Sequence, residues 1–483
     1  MKTVTASCEQ GDLLGIDANG VQTFFDIPYA KDGGRYREAL PPQSWHGVRE
    51  ATQPGPVFPQ LASRLDFVMG ATAGGVPTSE DAYRLNVYTP STQAKLPVIF
   101  WIHGGGFLTG GALRCYSGAQ LAGSGRAVVV TFNYRLGILG NLYLPGTSPG
   151  NLSVADIVAA LIWVRANIAR FGGDPDAIVL AGQSAGAWYT QLLMSMEETS
   201  ALARAAIMLS WPGLPPQSPD DALETTRDYC EIAGFQNPPR ELWDASVSSL
   251  LEWQTRLLRA RAQNGAVPVG FMPVASGPVP ANPMQQAARF APKPLMISWT
   301  RDETGSFFGS NPSLVDATKN DVIEWLEPAL GANCVTDYER AMHRRLGSTP
   351  YTVLVEQTSE ALFKRPTLEA AARLSDSGSD VYAFAFDVAS PQPHVGAGHC
   401  FELPFLFGNF TDWPSAPMLE GIDGRLAAQL SALLQAYVLN FAESGNPNAG
   451  DLPSWRSYRD GNQYALRFAD SVTCDPATLN FSA

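Results

Sequence analysis

Five apolar runs punctuate the chain: Leu96–Ile102 (LPVIFWI), Ala127–Tyr134 (AVVVTFNY), Ala177–Ala181 (AIVLA), Leu295–Thr300 (LMISWT) and Val381–Val388 (VYAFAFDV). Each has the length of a strand, is apolar on both faces and stops at a turn signal, which predicts strands buried from both sides, as in a parallel sheet. Between the second and third runs, Ser153–Phe171 sets Val154, Ile157, Val158, Leu161 and Ile168 at helical spacing, with Asn151 and Ser153 as cap candidates. Strands alternating with helices predict an α/β fold with a large, mostly parallel central sheet flanked by helices. Residues 212–294 and 312–379 carry helix-like patterns instead, such as DDALETTRDYCEIAGF and SSLLEWQTRLLRARAQ. They read as helical insertions over the sheet, within a single domain spanning residues 1–483, since no repeat, low-complexity tract or proline-rich linker divides the chain.

Open α/β sheets gather ligands at the carboxyl ends of their strands, and here the apolar runs end on polar or glycine residues. Ala177–Ala181 leads into Gly-Gln-Ser-Ala-Gly and then a helical segment, Ala185–Met194. A strand that ends in G-x-S-x-G and opens a helix lifts the serine hydroxyl clear on a sharp turn, and Gly182 and Gly186 allow close backbone approach. A serine hydroxyl is a poor nucleophile at neutral pH. It needs a base, a group to orient that base, and donors for the oxyanion. HGGGF, His103–Phe107, supplies the donors: Gly105 and Gly106 turn their N–H groups into a cavity, and Ala185 adds a third from the positive end of its helix.

The base and its carboxylate are expected later, in the order serine, carboxylate, histidine. Among the five histidines, His394 and His399 lie in a loop directly after a late strand. His399, in GAGHCFELPFLFG, sits between small residues and an apolar run, whereas His394, in SPQPH, reads as a solvated loop residue. His103 reads as a support for the oxyanion loop, and His46 and His343 as surface or interhelical residues. Asp302 and Glu303 both follow Leu295–Thr300, and spacing does not separate them.

Composition narrows the setting. A balance of 33 basic against 46 acidic residues gives a net charge of -13, which argues against nucleic acid and anionic membrane surfaces as partners. No run approaches the roughly 18 uninterrupted apolar residues of a spanning helix. The start, MKTVTASCEQGDLLG, lacks the apolar core of a signal peptide, so a soluble, cytoplasmic chain is expected. The six cysteines lie far apart with no CxxC and no ligand-like Cys/His spacing; buried thiols are expected, and neither a metal nor a cofactor.

Taken in order, FFDIPYA (24–30), SEDAYRLNVYTP (79–90), WIHGGGF, NYRLGILG (133–140), ALIWVRANIARFGGDP (160–175), AGQSAGA, TRDETGSFF (300–308), GAGHCFELPFLFG and FAESGNPN (441–448) span nearly the whole chain. With these motifs the sequence resembles the type B carboxylesterases, the α/β-hydrolase family that includes cholinesterases and bacterial p-nitrobenzyl esterases. The resemblance implies Ser184 as nucleophile, His399 as general base and acid, and Glu303 as the carboxylate that orients the imidazole. It implies Gly105, Gly106 and Ala185 as the oxyanion hole, an Arg35–Glu80 ion pair, and Ser210 as a support for the catalytic cluster.

Several positions depart from the family pattern. Gln183 stands where a glutamate is usual, which removes a carboxylate beside the nucleophile and with it an attraction for choline-type cations. A neutral, at least partly apolar small-molecule ester is expected instead. Ala82 replaces the cysteine usual after Glu-Asp, so the family's early disulfide cannot form. TGSFF after Glu303 shifts Phe307 and Phe308 by one residue, and Trp188 and Trp211 occupy positions that are commonly smaller, with Trp188 reading as helix packing. The expected reaction is cofactor-independent ester hydrolysis through an acyl-enzyme. The same triad acting mainly on carbamate or aryl-amide bonds is the neighbouring reading, and a catalytically silent binding protein is the distant one, because silent relatives usually lack the serine or the histidine.

Overall fold

Thirteen strands join into one sheet among the described residues of the computed structural model, which are 2–345, 347–413, 415–459 and 463–480. In chain order the strands are β1 (Lys2–Cys8), β2 (Gly11–Ala18), β3 (Val21–Pro28), β4 (Val48–Glu50), β5 (Arg84–Thr89), β6 (Leu96–Ile102) and β7 (Val128–Phe132). They continue as β8 (Gly173–Gln183), β9 (Ala205–Leu209), β10 (Leu295–Thr300), β11 (Val381–Phe386), β12 (Tyr464–Phe468) and β13 (Val472–Pro476). Their spatial order is β1-β2-β3-β5-β7-β6-β8-β9-β10-β11-β12-β13, with β4 beside β2. Every neighbouring pair from β7 to β12 is parallel. Both flanks are antiparallel except for the short β4, which runs parallel to β2, so the sheet is mixed at its edges.

The five apolar runs are β6, β7, β8, β10 and β11, whose central residues, such as Phe100, Val130, Leu180, Ile297 and Ala383, are wholly buried. β8 starts earlier than its apolar stretch because pairing with β6 resumes at Gly173 and Leu96 beyond an irregularity. The edge strands escape a search for apolar runs. β1, for example, buries Ala6 and Cys8 but leaves Lys2, Thr3 and Thr5 in solvent.

The helix Leu152–Asn167 continues through a 3-10 turn to Phe171 and buries Val154, Ile157, Leu161, Val164 and Ile168 in the core. By length and composition this stretch could cross a membrane, but most of it is enclosed by protein. The cap expectation needs correction. Asn151 occupies the N-cap position without a capping bond, because its carboxamide is engaged by the N–H and C=O of Val274, while Ser153 Oγ donates to Asn141 Oδ1.

Residues 212–294 contain the helices Pro219–Ala233, Pro238–Asp244, Val247–Ala260 and Pro283–Ala287. Residues 312–379 contain Pro312–Val315, Lys319–Leu330, Cys334–Arg344, Pro350–Ser359 and Arg365–Asp376, the last two joined by a π-helical turn, Glu360–Lys364. These segments pack small cores of their own, one around Tyr229, Leu250 and Phe271 and another around Val322, Tyr338 and Leu354.

Candidate active site

β6, β8 and β9 lie in register, with Gly182 paired to Ile102 on one side and Met208 on the other, so HGGGF, GQSAG and Ser210 emerge side by side. Ser184 stands between β8 and the helix Ala185–Met194 at φ 57°, ψ -124°, a backbone conformation L residues rarely adopt. The Leu209 carbonyl holds its N–H at 2.9 Å. Crowding explains the flanking glycines. A Cβ on Gly186 would lie 1.9 Å from the Ile102 carbonyl oxygen, and one on Gly182 would lie 2.4 Å from Gly186 itself. Only bare backbone on both sides permits so tight a turn.

Gly105 and Gly106 have φ values of 113° and 60°, and the Gly105 carbonyl turns back to accept from the N–H groups of Leu108 and Thr109. Among the described residues, the N–H groups of Gly105, Gly106 and Ala185 donate to no protein acceptor. Such free donors at the mouth of a strand–turn–helix suit a developing negative charge. His103 props this loop from below: its ring stacks on Tyr134 at 4.2 Å, and the Tyr134 hydroxyl donates to the His103 carbonyl at 2.6 Å. Burial pulls the His103 pKa down to about 4, so the prop is uncharged.

The structure separates the two acids that spacing left together. Glu303 Oε2 lies 2.5 Å from His399 Nδ1, both side chains wholly buried, and Glu303 Oε1 accepts the Thr300 N–H at 2.7 Å. Asp302 turns away, to Arg301 at 3.0 Å, Arg345 at 2.8 Å and the Ala397 N–H at 3.0 Å. Burial works against its charge, but the two arginines outweigh it and hold the carboxyl below its ordinary range. Backbone bonds from Asp302 N to Ala397 O and from His399 N to Glu303 O tie the histidine loop to the acid turn. His394 stays outside the cluster, its carbonyl accepting from the Tyr351 hydroxyl and its ring meeting the Tyr351 ring edge to face.

No hydrogen bond joins the Ser184 and His399 side chains; the imidazole meets Ser184's chain neighbour instead. His399 Nε2 faces the Gln183 amide nitrogen at 3.2 Å. With Nδ1 donating to Glu303, Nε2 carries the lone pair, and the Gln183 amide donates to it. The rings of Phe307 and Phe363 each lie 5.1 Å from the imidazole. Phe308 points instead into the core of the second insertion, Trp188 packs on Phe107 and donates to the Leu214 carbonyl, and Trp211 lines a separate cavity. Two cavities flank the cluster. One of about 60 Å³ holds Ser184, Ala185 and Gly106, and a larger one of about 280 Å³ lies behind the oxyanion loop against Gln183 and Cys400.

The implied supports are present: Arg35 makes two bonds to Glu80, at 2.8 and 3.0 Å, and Ser210 Oγ donates to Glu402 Oε1 at 3.3 Å. Glu402 itself is a residue that motif reading passes over. It is fully buried, its Oε2 has no partner among the described residues, and burial followed by the Glu303 charge pushes its pKa up to about 7. Its only mark in the sequence is an acid inside the apolar run CFELPFLFG. Leu362 and Phe363 also escape, since the π-helical turn that brings them into the cleft has no signature in the pattern.

The chain matches the sequence profile of the Carboxylesterase family across residues 2–480. It is 32% identical over 475 residues to the phenmedipham hydrolase of Pseudarthrobacter oxydans, covering 95% of this chain and 94% of that one. It is 32% identical over 483 residues to the para-nitrobenzyl esterase of Bacillus subtilis, covering 97% and 95%. The solved carboxylesterase of Geobacillus stearothermophilus superposes with a TM-score of 0.85 at 31% identity, covering 98% of this chain and 97% of that one. The chain belongs to the carboxylesterase family and is a carboxylic ester hydrolase of the α/β-hydrolase fold.

Proposed function

We propose that this hydrolase works through an acyl-enzyme on Ser184, with His399 as base and acid, Glu303 as the carboxylate that orients it, and the amides of Gly105, Gly106 and Ala185 as the oxyanion hole. The observation that carries this reading is the wholly buried Glu303–His399 pair beside a strained serine whose neighbouring amides lack acceptors. As an ester enters, Gln183 yields His399 Nε2 to the Ser184 hydroxyl. Ser184 Oγ attacks the carbonyl, His399 takes its proton, and the oxyanion is held by the three amides. His399 then protonates the leaving alcohol, and water releases the acid by the same steps in reverse.

The substrate is a small molecule with an apolar portion, for which Phe107, Phe307, Phe363 and Leu214 provide the wall. A neutral Gln183 beside the imidazole gives no attraction for a cation. The net charge of -13 likewise suits a small-molecule enzyme rather than one bound to nucleic acid or an anionic membrane. The test compares an ester with its matched carbamate and anilide. The expected result is the highest kcat/KM on the ester; a higher value on either of the others would move the natural bond to that class.

A further inference from the structure

Arg64 carries the one charge on the wall of the Ser184 cleft among the described residues, set among Phe107, Phe307, Phe363 and Val267. Its Nη1 donates to the Pro268 carbonyl at 2.7 Å, and its guanidinium lies 5.2 Å over the Phe307 ring. Nη2 reaches the oxyanion loop, where a Cβ on Gly106 would sit 2.8 Å from it. No carboxylate among the described residues pairs with it. Arg135, deep in the fold, shows the contrast, gripping Asp156 through Nε and Nη2 at 2.8 and 2.7 Å. Arg64 is solvent-exposed at the cleft mouth and, as an arginine, is charged at neutral pH.

A guanidinium has five donors in a planar fork, and a single carbonyl uses few of them. The donors that the Pro268 carbonyl leaves unused suit a bidentate carboxylate. We infer that Arg64 determines specificity by binding a carboxylate on the ester substrate, on its acyl or its alcohol side, in the cleft that holds Ser184 and the Gly106 amide. The inference rests on the hydrolase reading of that cleft and replaces the expectation of a wholly neutral substrate with an ester that is apolar over most of its length and anionic at one point. The alternative is that Arg64 only braces Pro268 against the oxyanion loop, and a brace treats charged and neutral esters alike.

The experiment uses two matched pairs followed by pH-stat: monoethyl glutarate against ethyl pentanoate for the acyl side, and 4-carboxyphenyl butanoate against 4-methylphenyl butanoate for the alcohol side. In at least one pair the wild type is expected to favour the carboxylate ester by about tenfold or more in kcat/KM. Arg64→Leu lowers that ratio by roughly 10- to 100-fold, and Arg64→Lys, which keeps the charge without the fork, restores part of it. A ratio unchanged in both variants, or a loss equal for both members of each pair, overturns the inference. Calorimetry on Ser184→Ala with the two carboxylate esters reads binding without turnover. If wild type cleaves no ester yet Arg64→Leu in that background abolishes carboxylate binding, the hydrolase reading has failed and the Arg64 site stands; if esters are cleaved and binding is unaffected, the reverse holds.

Discussion

At the carboxyl ends of β6 and β8, the register of the sheet fixes Ser184 and the HGGGF loop, with backbone approaches that exclude even one methyl group at Gly182 or Gly186. Across the cleft, Val267–Val269, Leu362 and Phe363 arrive from the helical insertions, and Arg64 from the loop before the helix Asp66–Met69. The first region is built from main chain and glycine, the second from side chains on segments that pack partly in small cores of their own and partly, as at Val269 and Leu368, against the core of the sheet. The difference teaches a division of labour. On the proposed reading, the sheet side supplies the acyl-transfer machinery, while the insertions together with Arg64 and Phe307 supply the wall that faces the substrate.

That comparison breaks most readily at the acid turn. Glu303→Gln is expected to lower kcat by about 10⁴-fold, because the imidazole loses the partner that sets its tautomer. Asp302→Asn leaves the Glu303–His399 contact in place and is expected to cost stability far more than turnover, read as a fall in Tm. Equal kinetic losses for the two variants would mean that the assignment of roles at this turn is wrong. Next in size, Gly105→Ala forces a side chain onto a φ of 113° and to within 2.1 Å of the Thr109 carbonyl oxygen. Losing this donor should lower kcat by roughly 10²- to 10³-fold with KM little changed. Phe363→Ala, on the wall, should shift the preference among acyl chain lengths by about tenfold, while the rate on the best substrate falls less than for any change on the strand side.

The smallest effect expected concerns Glu402. Its folded-state pKa lies above the ordinary glutamate range, at about 7. The proton it holds therefore favours the folded state at low pH, and that stabilisation is lost as pH rises from the unfolded value through about 7. Glu402→Gln keeps the uncharged form at every pH, so its Tm relative to wild type should climb between pH 5 and pH 8. Asp302, with its lowered pKa, acts in the opposite sense and contributes stability that is lost on acidification. A difference between Glu402→Gln and wild type that is flat across this range would contradict the raised pKa.

Legibility follows the same division. The strands β6, β8, β10 and β11 and the elbow at Ser184 are local features, written in consecutive residues, and can be read from them. Asp302 and Glu303 cannot be told apart by sequence spacing, because Arg301, Arg345 and the Ala397 amide make the choice, and two of these arrive from distant parts of the chain. The cap at Asn151 misleads because Val274, far along the chain, draws its carboxamide away. Phe307 and Phe308 are adjacent in sequence and both touch the second insertion's core, yet only Phe307 also reaches the imidazole, a difference set by packing. Edge strands such as β1 are half polar because solvent covers one face, so apolar runs do not reveal them.

The central claim is that Ser184 is the acylated residue, and covalent trapping tests it most directly. Mass spectrometry of the protein after treatment with an organophosphate should find the adduct on the peptide that carries Ser184, at an occupancy that tracks the loss of esterase activity. Full activity loss with the adduct on any other residue, or esterase activity that persists once Ser184 is fully modified, would contradict it.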